Sequence, residues 1–127
     1  MVEGMPTILI AENDSQLRKL LATVLRNAGY EVIAASDGER GVSAAQKHSE
    51  KIDLLIADIV MPGMGGADLY AWLRTERPDI RVLFISGYMS RQPLPGGFLK
   101  KPFSSATLIE KVREILEPQE QTERTQA

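Results

Sequence analysis

"DLLIADIVMPGMGGAD", residues 53–68, places four apolar residues in a row between Asp53 and Asp58, then a segment broken by Pro62, Gly63, Gly65 and Gly66. An apolar run without polar alternation is what a strand buried on both faces requires, and a run this short does not make a helix. Past the break the pattern changes period. Leu69, Trp72 and Leu73 fall on one face of a helix over about Gly66 to Glu76, which stops before Pro78. The stretch therefore reads as a buried strand, a tight turn and a covering helix.

Working outward, the same unit repeats. "TILIA" (7–11), "EVIAA" (31–35) and "RVLFIS" (81–86) are predicted as further strands, and "GFLK" (97–100) as a shorter fifth, with "DLLIAD" (53–58) as the third. Leu17, Leu20, Leu21, Val24, Leu25 and Ala28 form the stripe of a first helix, capped by Asp14 or Ser15 and ended by Gly29. A second, weaker helix runs from Asp37 to His48, with Val42 and Ala45 to bury. The last takes Ser104 as N-cap, pairs Phe103 with Leu108 as a hydrophobic staple, and buries Leu108, Val112, Ile115 and Leu116.

Alternation of strands and helices predicts an α/β fold: a doubly wound, five-stranded parallel sheet of the flavodoxin-like order 2-1-3-4-5. One domain is expected over residues 1–116, and "EPQEQTERTQA" (117–127) has almost nothing to bury and is expected to be a disordered polar tail. At 43% hydrophobic and 25% charged, the chain has the composition of one globular core. A net charge of −2 argues against a general nucleic-acid surface. Without cysteine there is neither a disulfide framework nor a Cys-based metal site. No apolar run reaches the roughly 18 residues of a membrane span, and the start lacks the pattern of a signal peptide, so a cytoplasmic protein is expected.

Open α/β sheets bind ligands beyond the carboxyl ends of their strands. Glu12, Asn13 and Asp14 follow strand 1, Asp58 closes strand 3, Ser86 closes strand 4, and Lys101 follows strand 5. That set suits transfer of a phosphoryl group to a carboxylate. Asp58, on the central strand, is the expected acceptor. Glu12, Asn13 and Asp58 offer oxygen ligands for Mg²⁺, Lys101 a positive point charge, and Ser86 a hydrogen bond to a phosphoryl oxygen. Other chemistry lacks its residues. "GMGGAD" (63–68) has Asp68 at the third glycine position of a dinucleotide turn, and no phosphate-binding G-x-x-x-x-G-K-S/T loop occurs. His48 is the only histidine and reads as a solvated surface residue, which leaves no base for triad chemistry. Trp72 and Tyr70 read as core and helix-rim packing rather than a stacking platform for bases.

From about Thr7 to Leu116 the chain resembles the receiver domain of bacterial two-component response regulators. "ILIAENDSQLRKLL", "DLLIADIVMPGMGG", "LFISGY" and "FLKKPF" are similar to that family's four signature blocks, in order. The resemblance implies that Asp58 accepts phosphoryl from a phosphohistidine on a sensor histidine kinase or histidine phosphotransfer protein. It implies a switch hydroxyl at Ser86, a lysine at Lys101, a switch aromatic at Phe98, an acidic pair at Glu12 and Asn13, and a backbone carbonyl for the metal at Val60.

Two departures stand out. The acid expected to bind the metal directly is Asn13, which lacks the charge. Fourteen residues, 87–100, separate Ser86 from Lys101, and Pro93, Pro95, Gly96 and Gly97 among them break any helix. The family's fourth helix is thus expected to be replaced by a loop, with at most one turn near Met89 to Gln92, leaving apolar surface around Phe98 and Leu94 as a partner or homodimer site at the strand 5 and last-helix flank.

The expected function is that of a single-domain response regulator, not an enzyme, that signals to an unknown protein target by contact. The alternative is a pseudo-receiver, an interaction module without a phosphorylation switch. An aspartate-nucleophile phosphohydrolase is disfavoured because Val60 stands where that chemistry places a second Asp.

Overall fold

The computed structural model describes residues 4–89 and 93–117. Five strands, β1 (Thr7–Ala11), β2 (Glu31–Ala35), β3 (Leu54–Asp58), β4 (Arg81–Ser86) and β5 (Gly97–Lys100), form one sheet in the order β2-β1-β3-β4-β5. Every neighbouring pair is parallel. Helices α1 (Ser15–Asn27), α2 (Gly38–Lys47) and α3 (Gly66–Glu76) fill the first three crossovers, and α4 (Ser105–Leu116) follows β5. The predicted order and all five strands are therefore present, with β3 one residue shorter than read.

The central strands carry the pleat rule without showing it in sequence. β1 and β3 are buried at every position, because both of their faces are covered. Ile8, Ile10, Leu54 and Ile56 face α1 and α4 in one core cluster with Leu21, Leu25, Leu83, Leu108 and Val112. Their sequence neighbours Leu9, Ala11, Leu55 and Ala57 face the other way, with Leu69, Leu73 and Phe84 in a second cluster. Successive residues point to opposite faces, so one strand feeds two cores. Tyr70 meets Phe84 edge to face, with ring centroids 6.0 Å apart. Both Tyr70 and Trp72 pack against this second cluster, as read.

Helix boundaries follow local chemistry. Asp14 caps α1 by accepting from the amides of Gln16 (2.9 Å) and Leu17 (3.2 Å), and Gly29 leaves the helix at a φ of 101°. Asp37 caps α2 through the Arg40 amide at 2.8 Å. Ser104 caps α4 through the Thr107 amide at 3.0 Å, with Phe103 and Leu108 packed in the same cluster.

One reading changes. His48 is half-buried rather than solvated. Its Nε2 is shielded with no hydrogen-bond partner among the described residues, while its carbonyl accepts from Arg77 at 2.6 Å. Arg77 also donates to the carbonyls of Glu50 and Ala45, so one guanidinium closes the C-terminal end of α2. Trp72 lines a hollow with His48, Glu76 and Arg77 at that same end, across the sheet's length from Asp58.

Among the described residues no helix lies between β4 and β5. Residues 93–96 run irregularly into β5, where a Cβ on Gly96 would collide with Val82. The single turn expected near Met89 to Gln92 lies, apart from Met89, outside the described residues. So does the tail beyond Glu117.

Candidate functional site

Parallel strands that end together bring their last residues to one edge. Asp58 closes β3, Ser86 closes β4 in register with Lys100 of β5, and Lys101 follows. The Lys101 amide donates to the Ser86 carbonyl at 2.8 Å, which carries the ladder one residue past β5 and turns the lysine side chain into the crevice. Its Nζ lies 2.6 Å from Asp58 Oδ2 and 3.0 Å from Glu12 Oε1. Glu12 is 1% exposed, Ser86 2% and Asp58 6%, so three polar side chains are held out of water at a strand edge where turn residues are ordinarily wet.

Each carboxylate is pinned on both oxygens. Glu12 Oε2 accepts from the Asp14 amide at 2.9 Å, and Asp58 Oδ1 from the Val60 amide at 3.0 Å. Ser86 Oγ accepts from the Tyr88 amide at 3.1 Å, leaving its own proton to donate. Arg18, in the second turn of α1, donates to the Glu12 carbonyl at 2.8 Å and fixes the acidic turn from behind. Nothing in the sequence marked Arg18, since a basic residue early in an amphipathic helix reads as solvated.

Two carboxylates share one ammonium, which leaves one excess negative charge in a dry cleft. Burial pushes the Glu12 carboxyl above its usual range; the Asp14 amide and Lys101 pull the other way, and the charge on Asp58 adds to the rise. For Lys101 burial opposes the charge, but the hydrogen bonds to Asp58 and Glu12 outweigh it and leave its pKa raised.

Such a site fits a hard divalent cation, which would take oxygen ligands and relieve the excess charge. Asn13 is exposed at the mouth, and Val60 is 63% exposed there. Among the described residues no three His, Cys, Asp or Glu side chains converge as metal ligands, so Asn13 and a backbone carbonyl would have to complement the two carboxylates. Restoring the charge with Asn13→Asp is expected to tighten Mg²⁺ binding by about tenfold, since a unit charge a few ångströms from a divalent ion is worth 1–2 kcal/mol even at the dielectric of water. Isothermal titration calorimetry checks this, Trp72 being too remote to report; equal or weaker affinity would show that residue 13 does not touch the metal.

Phe98 and Leu94 are half-buried against the second cluster. Among the exposed apolar side chains, Tyr88 at 75%, Met89 at 66% and Val60 follow the strand ends at the crevice. Between α1 and α4 an apolar groove of about 410 Å³, lined by Leu17, Leu20, Leu21, Phe103 and Leu108, reaches Lys101.

The comparisons with known proteins agree with this geometry. Residues 8–113 match the model of the response regulator receiver domain. The chain is 33% identical to the response regulator receiver protein CpdR of Brucella abortus, covering 88% of this chain and 98% of that one. It is 34% identical over 94% of its length to the sensor kinase CckA of the same organism, of which it spans only 13%. In structure it is similar to the receiver domain of the hybrid histidine kinase CckA, with TM-score 0.79, 39% identity and coverage of 87% and 99%. It is also similar to the response regulator TrrA of Thermotoga maritima in complex with Mg²⁺ and BeF, with TM-score 0.78, 30% identity and coverage of 88% and 100%. With the family model matched along most of the chain and a strand order to suit, this protein belongs to the response regulator receiver domain family.

Proposed function

We propose that this receiver, in the cytoplasm, takes a phosphoryl group onto Asp58 from a phosphohistidine of a sensor histidine kinase or histidine phosphotransfer protein, and signals by protein contact. The observation that carries the proposal is the Lys101 ammonium bridging Asp58 and Glu12 in a buried, net negative crevice. A pseudo-receiver would have no need of this arrangement.

In the transfer an Asp58 carboxylate oxygen attacks phosphorus, the phosphorus–nitrogen bond to imidazole breaks, and its electron pair returns to the ring nitrogen. Little covalent help is required beyond alignment and neutralisation of charge. Val60 and Lys101 fix the orientation of the Asp58 carboxyl group before reaction. Lys101 offsets charge on the incoming oxygens, and Ser86 donates its hydroxyl proton to one of them. Glu12, Asn13, Asp58 and the Val60 carbonyl would hold Mg²⁺, which when bound neutralises further phosphoryl charge. The apolar groove that ends at Lys101 is where we place the docking face of the phosphodonor.

Downstream, we propose that the β5 and α4 flank, with Phe98 and its neighbours, is where a partner or a second copy binds. Residues 87–89 and 93–96 are non-helical, and all but half-exposed Leu94 are exposed. The amides of Gly87, Tyr88, Met89, Leu94 and Gly96 are expected to exchange quickly in the unmodified protein and slowly with beryllofluoride; strong protection in both states would remove the switch from this flank.

Incubation with Mg²⁺ and acetyl phosphate tests the acceptor. The expected result is a mass gain of one phosphoryl group on the Asp58 peptide, reversed by hydroxylamine. Absence of label, or label elsewhere, would overturn the proposal and favour the pseudo-receiver.

A further inference from the structure

The segment between Asp58 and α3 folds back on the strand it leaves. A Cβ on Gly65 would stand 2.6 Å from the Ile59 carbonyl oxygen, and one on Gly66 would collide with the Asp58 carbonyl. The Gly66 amide closes this turn by donating to the Ile59 carbonyl at 3.2 Å. Within the turn sits Val60, whose amide holds Asp58 Oδ1. The turn therefore sets the orientation of the acceptor carboxylate.

Its outer side is held by a helix that contributes no residue to the site. Gly38, the buried first residue of α2, approaches Met64 so closely that a Cβ there would lie 2.5 Å from the Met64 carbonyl oxygen and 2.7 Å from its Cβ. Next in α2, the Glu39 carboxylate reaches within 3.9 Å of the Cβ position of Gly63, which has a φ of 73°. The clash at Gly38 involves backbone and cannot be relieved by turning a side chain. One helical turn on, Gly41 differs: a Cβ there would meet only the methyls of Leu69, at 3.0 and 3.3 Å. Gly38 abuts the turn that carries the site; Gly41 abuts the core.

We propose that Gly38 and Met64 form a positioning contact, in which the start of α2 buttresses the β3–α3 turn and thereby fixes Val60 against Asp58. The inference rests on the phosphoacceptor reading for its rate consequence but not for its structural one. Any side chain at residue 38 must push Met64 outward, and through the closed turn this shift reaches Val60. A misplacement beside the reacting atoms lowers the rate of transfer.

The test compares Gly38→Ala with Gly41→Ala. Gly38→Ala is expected to speed hydrogen exchange at the Val60 amide and to slow Asp58 phosphorylation by acetyl phosphate on the order of tenfold. Gly41→Ala is expected to change melting temperature while leaving both readouts as in the parent protein. If Gly38→Ala does not fold, Met64→Ala, which removes the buttress beyond Cβ, decides alone, with faster Val60 exchange and a rate lower by about threefold. Unchanged Val60 exchange and rate in whichever variant folds would overturn the contact's role. A parent protein that takes no label would overturn the phosphoacceptor reading, and Val60 exchange alone would then decide the contact.

Discussion

Asp58→Asn removes all hydroxylamine-sensitive phosphoryl incorporation, whether the donor is acetyl phosphate or a phosphorylated kinase. The amide keeps the shape of the carboxyl group but has a single acceptor oxygen, so it accepts from Val60 or from Lys101 and not from both; the fold, carried by the two apolar cores, is retained. What is lost is the anionic oxygen that attacks phosphorus, and no neighbouring group replaces it. Glu12 is buried behind Lys101 with both oxygens engaged, and Asp14 is committed to capping α1. Intact-mass measurement over a time course checks this expectation. Residual label at the parent rate would move the acceptor to another residue.

Lys101→Ala has the largest expected effect on stability. It strands two carboxylates, whose side chains are 1% and 8% exposed, beside each other without their shared cation. Removing one partner of a buried pair costs about 3–5 kcal/mol; here the lysine is partly wet, so water can re-enter and a loss of about 2–3 kcal/mol is expected. The cause can be isolated by a double-mutant cycle. Asp58→Asn alone removes repulsion with Glu12 and should shift stability by no more than about 1 kcal/mol, but on the Lys101→Ala background it should restore a measurable part of the loss. Urea denaturation of the four proteins gives the coupling. Additive effects would mean that Lys101 stabilises through its aliphatic stem rather than its charge.

The fold was legible because its strands are short apolar runs separated by amphipathic helices, and the period changes where each element ends. "DLLIAD" could be placed as a two-sided strand by composition alone, but which of its residues faced which core could not, since alternation disappears when both faces are dry. The strand-end residues Glu12, Asp58, Ser86 and Lys101 were legible as a group because parallel order sends all strand ends to one edge. Arg18 and the Gly38–Met64 approach were not. Each depends on how a helix is rotated and seated on the sheet, which no local pattern encodes. For the same reason His48 read as wet: its helix is weak, and only the packing of Arg77 and Trp72 around it draws the ring in.

The bridge from Glu12 to Lys101 joins residues 89 apart in sequence, nearly the span of the domain. Loop-closure cost delays contacts of that separation until the rest of the sheet is in place. Lys101 also sits just past a four-residue edge strand, and a one-residue slip of that strand would turn its ammonium to the opposite face. The ion pair thus acts as a checkpoint on assembly: a chain with β5 undocked, or docked out of register, lacks the charge arrangement that prepares Asp58. Competence to accept phosphoryl is confined to molecules whose two ends have met correctly, so incompletely folded copies stay silent.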